Sequence, residues 1–385
     1  MSLLYLVAGD PSGDRLGAGL MQALKAEASG VRFGGIGGPM MAGEGLRSLF
    51  DYTDLGEMGI AELAPRLRLL MRRIKQTVAD VLRAQPAALV TIASPGFGLR
   101  VAERVRRSVP QVKTIHYVAP SVWAWRPGRA RRMARYIDHV LTLLPFEPPY
   151  MTAEGMSCDF VGHPAAVAPR PAPEAIAAFR TRAGAAAGRP LLLLAPGTRR
   201  GEVARMMPVF AEVEARLRQR HPELAVAIPV SEAVAWEVAE AATRLEMPPV
   251  LVRPAEGEEG RQVAFAAADL ALVASRTVVV EMAAAATPMV SAYRTSWLTG
   301  AILKRLIQVD SANLVNLVSD AWVVPEFLQE RCTSAQIAPA LEALLDDPAA
   351  RSAQLAAFEP VLDALGRGGE APALRAAKSV LRAVG

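Results

Sequence analysis

In GDPSGD, residues 9–14, two carboxylates, Asp10 and Asp14, bracket a tight turn, with Ser12 and Gly13 between them. A helix opening after such a turn offers its N–H groups to an anion, but the two aspartates would repel one. A sugar hydroxyl is the better guest. Ser12 or Asp14 can also cap the helix, and a plain strand-to-helix turn needs the same glycines. In HYVAPSVWAWRPGRARRMAR, residues 116–135, Ser121, Trp123 and Trp125 precede Arg126 and a run of further arginines. An aromatic beside Arg suits stacking on a sugar face with phosphate binding, or on single-stranded nucleic acid. Tryptophans packed inside a solvated basic helix give the same pattern.

Two further stretches suit a nucleotide. An apolar strand delivers Pro196-Gly197-Thr198-Arg199 to a helix that begins near Glu202. There Thr198 and the backbone amides can face a phosphate and Arg199 can neutralise it; a capped helix without a ligand is the alternative. Another strand ends at Ser275-Arg276-Thr277, and the small-residue helix that follows carries Glu281 one turn in. Its N-terminus can take a diphosphate and Glu281 can accept hydrogen bonds from both ribose hydroxyls, unless it is a surface residue. Neither this nor FGGIGGP is a G-x-G-x-x-G fingerprint; no helix clearly opens on the latter, and Pro39 follows it. Finally, Leu63, Leu67, Leu70, Ile74 and Val78 recur at helical spacing, flanked by Arg66, Arg68, Arg72, Arg73 and Lys75. Such a helix can lie on an anionic membrane surface or be a domain helix with a solvated basic face. No Asp-x-Asp, clustered His or G-x-S-x-G occurs, which disfavours metal catalysis and serine hydrolysis. No metal or cofactor is expected.

The elements that must position these residues alternate. Leu3–Ala8, 88–92, 113–118 and 139–144 read as strands with helical stretches between them; after a Pro- and Ala-rich stretch from 165 the alternation restarts with PLLLLAPG, LAVAIPV, PPVLVRP, ADLALVAS and PMVSAY. This predicts an α/β chain of two tandem Rossmann-like domains with parallel sheets. The first spans 1–164 and the second 165–345, and a helical tail, 346–385, packs back on the first by analogy with such pairs. Ligands then belong beyond the carboxyl ends of the strands, where most of the candidate stretches fall. A chain of 385 residues is long enough for two cores. Two cysteines far apart, Cys158 and Cys332, suggest neither a disulfide framework nor a zinc site and fit a reducing cytosol. MSLLYLVAGD runs straight into a strand, so no signal peptide is expected, and no apolar run is long enough to span a membrane. A net charge of +5 fits an anionic partner: nucleic acid, anionic lipid or a phosphorylated substrate.

In order, GDPSGD, Met58-Gly59-Ile60, HYVAPSVWAWR, LLPFEPPY, FVGHP, PGTRRGEV and Glu281 resemble the lipid-A-disaccharide synthase family, over nearly the whole chain from Leu4 to about Cys332. The resemblance implies an inverting glycosyltransferase of the GT-B type. It would join UDP-2,3-diacylglucosamine to 2,3-diacylglucosamine 1-phosphate, giving the β-1,6 disaccharide precursor of lipid A plus UDP. It further implies a peripheral protein on the cytoplasmic face of the inner membrane, with no nucleic-acid partner and with room for a homodimer. Arg199 and Glu281 match residues assigned to UDP in that family, with the acceptor and the membrane met by the N-terminal domain. The candidate sites are therefore Thr198, Arg199, Ser275, Thr277, Glu281 and Asn316 for UDP; Ser12, Gly13, Ser121, Trp123 and Arg126 for the acceptor; and Leu63, Arg66, Leu67, Leu70 and Arg73 for the membrane.

The chain departs from the family at one decisive place. TIASPGFG, residues 91–98, stands where the family has Ile-Asp-(Ala/Ser)-Pro-Asp-Phe, whose first Asp is regarded as the base; here Ala93 and Gly96 take the Asp positions. Arg276 replaces a Gly, Val315 a Pro before Asn316, and Asp10 stands where Glu is usual. Asp10 and Asp14, ending the first strand, are the candidate substitutes for the base. The alternatives are an impaired paralogue that binds UDP-sugar or phosphorylated glycolipid without efficient turnover, a chain altered at these positions, another GT-B transferase or a UDP-sugar epimerase.

Overall fold

The computed structural model describes residues 3–55, 63–125, 128–185, 188–274, 278–296 and 309–385, with side chains from Leu67 onward in the helix that starts at Leu63. Met58-Gly59-Ile60, Arg126, Ser275-Arg276-Thr277 and the side chains of Leu63 and Arg66 lie outside the described residues.

The chain forms two compact units, 1–164 with 368–385, and 165–367. In the first, short apolar runs become β1 (Leu3–Ala8), β2 (Arg32–Ile36), β3 (Ala88–Ile92), β4 (Lys113–Tyr117), β5 (His139–Thr142) and β6 (Ser157–Phe160). They pair in parallel in the order β2-β1-β3-β4-β5-β6. Helices cover both faces, so the central strands read as continuous apolar stretches rather than alternating ones. Period two still sorts their side chains. Tyr5 and Val7 share a core with Ile74 and Val105, while Leu4, Leu6 and Ala8 share the opposite one with Leu20, Met21 and Leu24.

The second unit repeats the plan. Strands β7 (Leu191–Ala195), β8 (Ala225–Pro229), β9 (Val250–Val252), β10 (Leu270–Val273), β11 (Met289–Tyr293) and β12 (Glu326–Leu328) pair in parallel in the order β12-β11-β10-β7-β8-β9. Helix Arg200–Arg220 lays Val203, Met206, Phe210, Val213 and Leu217 on this sheet. The expected class therefore holds: two doubly wound α/β units with parallel sheets and helices at the C-terminal end. In each sheet the strand order reverses once, beside β1 and β3 in the first unit and beside β7 and β10 in the second. Ligands of open α/β sheets bind in the crevice at that reversal.

The C-terminal stretch divides differently from the expected 346–385 tail. Helix Pro348–Ala364 stays with the second unit, because Gln354 bonds Met289 through both ends of its amide, accepting from its N–H at 2.8 Å and donating to its carbonyl at 3.1 Å. Only helix Pro372–Val384 joins the first unit. Its Ala376, Ala377 and Val380 enter the core beside Leu20 and Leu24. Ser379 completes the seam, with His139 Nε2 at 2.7 Å and its own hydroxyl donating to Asp159 at 2.6 Å.

Ser379→Ala removes the hydrogen-bond partner of the buried His139 Nε2 and leaves it only Asp159 Oδ2 at 3.8 Å, beyond hydrogen-bond reach, at a cost of about 1–3 kcal/mol. Thermal unfolding of the variant should begin several degrees lower; an unchanged melting curve contradicts this seam.

Candidate active site

The crevice of the first unit is built on the pairing of β1 with β3. Leu4 lies opposite Ala88 and Ala8 opposite Ile92, so the chain leaves both strands at the same level. From β1 comes Asp10, which caps helix Pro11–Glu27: its Oδ1 accepts from the Gly13 N–H at 2.8 Å. From β3 comes Ser94, whose hydroxyl donates to Asp10 Oδ2. Ala93 lies beside them, and a Cβ built on Gly13 would meet the Ala93 Cβ at 3.6 Å and the Ile92 carbonyl at 3.1 Å. Gly13 thus suits the close approach of helix to strand, where a side chain would be tightly placed, and Ser12 is exposed next to it. Asp10, Ala93 and Ser94 are all partly open to solvent.

Asp14 does not belong to this group. It is 2% exposed and accepts from the N–H groups of Gly38 at 2.8 Å and of Met40 and Met41 at 3.0 Å each. It caps the short helix Pro39–Gly43, with Pro39 in the first turn. This corrects two expectations. Asp14 is committed to the backbone and leaves Asp10 as the carboxylate in the crevice, and FGGIGGP does open a helix, whose cap comes from another part of the chain.

In the second unit, Gly197 takes a φ of +112°, and a Cβ there would lie 2.5 Å from Glu202 Oε2. That turn lets Glu202 reach back and accept from the Thr198 N–H at 3.2 Å, while the Tyr293 hydroxyl donates to its other oxygen at 3.4 Å. Thr198 and Arg199 stand exposed on the turn. One turn into helix Val278–Ala284, Glu281 faces Arg261, whose two terminal nitrogens donate to its two oxygens at 2.7 and 2.9 Å. Arg261 also bonds Glu258 at 2.6 Å. Sequence reasoning placed Glu202 only at the start of a helix and did not name Arg261; these two hold Thr198 and Glu281 in place. Asn316 has a different task from the expected one. Its amide accepts from the Val324 N–H at 2.8 Å and donates to the Val324 carbonyl at 2.9 Å, closing a buried loop.

The model of the family described as lipid-A-disaccharide synthetase matches residues 4–369. The chain is 50% identical over 383 residues to the lipid-A-disaccharide synthase of Ruegeria pomeroyi, covering 98% of this chain and 94% of that one. It is 45% identical over 383 residues to that of Rhodospirillum centenum, covering 99% and 94%. The chain belongs to the lipid-A-disaccharide synthase family. It is accordingly an enzyme, a glycosyltransferase of lipid A synthesis. Among solved structures, it is similar to a UDP-GlcNAc 2-epimerase from Neisseria meningitidis bound to UDP-GlcNAc, with a TM-score of 0.64 at 10% identity, covering 99% of each chain. It is also similar to the glycosyltransferase of kitacinnamycin, with a TM-score of 0.64 at 15% identity, covering 100% and 99%. At that identity the likeness is one of fold, that of GT-B proteins built from two Rossmann-like units.

Two of the motifs that carry the family resemblance meet inside the first unit. Trp123 is buried, its indole N–H donating to Glu147 at 3.0 Å and its ring edge-on to Phe146 at 5.2 Å. It is a core residue tying HYVAPSVWAWR to LLPFEPPY rather than a stacking platform, while Ser121 is partly exposed at the start of the same turn. Burial pushes the Glu147 carboxyl from an ordinary 4.5 up to about 7, against the hydrogen bonds from Trp123 and Leu144 that favour its charge. The basic helix Leu63–Ala84 likewise turns inward along part of its stripe. Leu70 is 8% exposed, and Arg73 lies over the Phe50 ring at 4.4 Å with its Nε donating to Asp54 at 2.8 Å. Leu70 and Arg73 are therefore not membrane-facing. Leu67, 50% exposed, and the exposed Arg68, Arg72 and Lys75 remain on the outer side. No helix of the described residues is long and apolar enough to cross a membrane.

Because the folded value of Glu147 lies above the unfolded one, the folded chain holds an extra proton between about pH 4.5 and pH 7. The stabilising contribution is full below that window and is lost as pH rises through about 7. Glu147→Gln keeps the acceptor for Trp123 but does not titrate. The urea midpoint of the unaltered chain should fall more between about pH 5.5 and 8 than that of the variant; parallel profiles contradict the buried acid.

Proposed function

We propose that the chain transfers 2,3-diacylglucosamine from its UDP carrier to the 6-hydroxyl of 2,3-diacylglucosamine 1-phosphate, with inversion and without a metal. Asp10 takes the acceptor proton. The observation that carries this reading is the presence of Asp10 in the β1–β3 crevice, beside Ala93, the position at which the resemblance places the family's acid. In a single displacement the acceptor oxygen bonds to the sugar C1 as the bond from C1 to the diphosphate oxygen breaks. The proton of the acceptor hydroxyl goes to Asp10 and the bonding pair leaves with UDP. An aligned hydroxyl and a positioned base supply most of what such a step needs. Thr198 and Arg199 are read as the diphosphate contacts, since an exposed guanidinium beside a strand-end turn offsets charge gathering on the departing phosphate. Glu281, oriented by Arg261, is read as the acceptor of the ribose hydroxyls. Ser12, Gly13 and Ser121 are read as lining the acceptor's side.

The exposed Leu67, Arg68, Arg72 and Lys75 support contact of the first unit with an anionic membrane surface, read as the cytoplasmic face of the inner membrane. Such a surface is where an acceptor bearing two acyl chains would be met.

The test is turnover with the UDP-diacylglucosamine donor and the monosaccharide 1-phosphate acceptor. Asp10→Asn should lower kcat by about 10²–10⁴-fold with KM little changed; full activity rules out Asp10 as the base. Separately, Glu281→Ala should weaken UDP binding by about 10–100-fold in titration calorimetry. Unchanged affinity removes Glu281 from the nucleotide site.

A further inference from the structure

The turn after β3 is strained at the two residues beside Asp10. The Ala93 N–H extends the β-ladder by one bond to the Tyr117 carbonyl at 2.9 Å; the backbone then turns with φ +49° at Ala93 and +36° at Ser94. Residues with a Cβ avoid that region, and strain held by its surroundings tends to mark a working site. The surroundings hold it here. The Ser94 carbonyl accepts from the N–H groups of Phe97 and Gly98 at 3.0 Å each, opening helix Gly98–Ser108. On the opposite strand Gly9 leaves the room, since a Cβ there would lie 3.0 Å from Ser94 Oγ. The result is a hydroxyl delivered onto Asp10 Oδ2, while Oδ1 is fixed by the Gly13 N–H.

We propose that Ser94 is a catalytic residue that carries the proton from the acceptor hydroxyl to Asp10; this rests on the reading of Asp10 as the base. A serine hydroxyl has one hydrogen to donate and lone pairs to accept with. Its hydrogen is donated to Asp10 Oδ2, so its oxygen can accept from an incoming sugar hydroxyl at the open side of the crevice. In the step, the acceptor O–H bond breaks and that proton binds Ser94 Oγ, while the Ser94 proton moves to Asp10 Oδ2. The acceptor oxygen uses its freed pair to bond to C1, and the C1–diphosphate bond breaks with its pair leaving on UDP. Asp10 ends with one added proton, which it returns to water before the next turnover. The relay gives the shorter Asp10 side chain a reach that position 93, now Ala93, no longer provides.

The experiment is a double-mutant cycle on kcat with Asp10→Asn, Ser94→Ala and the double variant. Ser94→Gly is included because it removes the hydroxyl while relieving the positive φ, so lost folding does not stand in for lost turnover. Ser94→Ala and Ser94→Gly should each lower kcat by about 10²-fold or more with KM within about threefold, and the double variant should be no slower than Asp10→Asn alone, as expected of residues acting as one unit. A normal kcat in both Ser94 variants with a slow Asp10→Asn overturns the relay and leaves Asp10 acting directly. Losses that multiply in the double variant overturn it too, by giving the residues separate roles. Full activity in Asp10→Asn overturns the reading of Asp10 and the relay with it.

Discussion

The parallel pairing of β1 with β3 is the constraint on which the site of the first unit depends. Its register, Leu4 opposite Ala88 through Ala8 opposite Ile92, decides that Gly9-Asp10 and Ala93-Ser94 leave the sheet together. A shift of one residue would turn the alternate side chains of β1 to the wrong cores, so the apolar packing that stabilises the fold also holds the register of the chemistry. Gly9, Gly13 and the strained pair Ala93 and Ser94 are local adjustments to that fixed meeting point. The second unit uses the same logic beside β7 and β10, where Gly197 makes the turn and Glu202 locks it.

Much of this plan was legible in the chain. Apolar runs between Gly- and Pro-containing turns gave the two Rossmann-like halves, and the short motifs at strand ends pointed to the crevices. Less legible were partners distant in sequence. Asp14 reads as a second acid beside Asp10 until its three backbone donors arrive from residues 38–41. Trp123 reads as a stacking surface until Glu147 and Phe146 enclose it. Helical spacing located the stripe of Leu67, Leu70 and Ile74 but left open what it faced, and the outcome is divided: Leu70 and Ile74 enter the core while Leu67 stays outside. The short strands β6 and β12 carry polar residues and offer too little pattern to be read.

The acid that is missing and the acid that remains are a matter of geometry. A base must reach the proton it takes, and a carboxylate from either neighbouring strand end can do so when the two ends are level. With Ala93 where the resemblance places an acid, a β1 carboxylate held at the right angle can serve the crevice instead. Its cap bond to Gly13 and its bond from Ser94 supply that orientation without any further side chain.

The most direct test is to measure steady-state turnover of the unaltered chain beside Ala93→Asp, Gly96→Asp, which restores the family's acids. If Asp10 serves as the base, the unaltered chain turns over within about tenfold of the restored one, well inside the roughly 10²–10⁴-fold that loss of a general base costs. Turnover in the restored chain alone would contradict it.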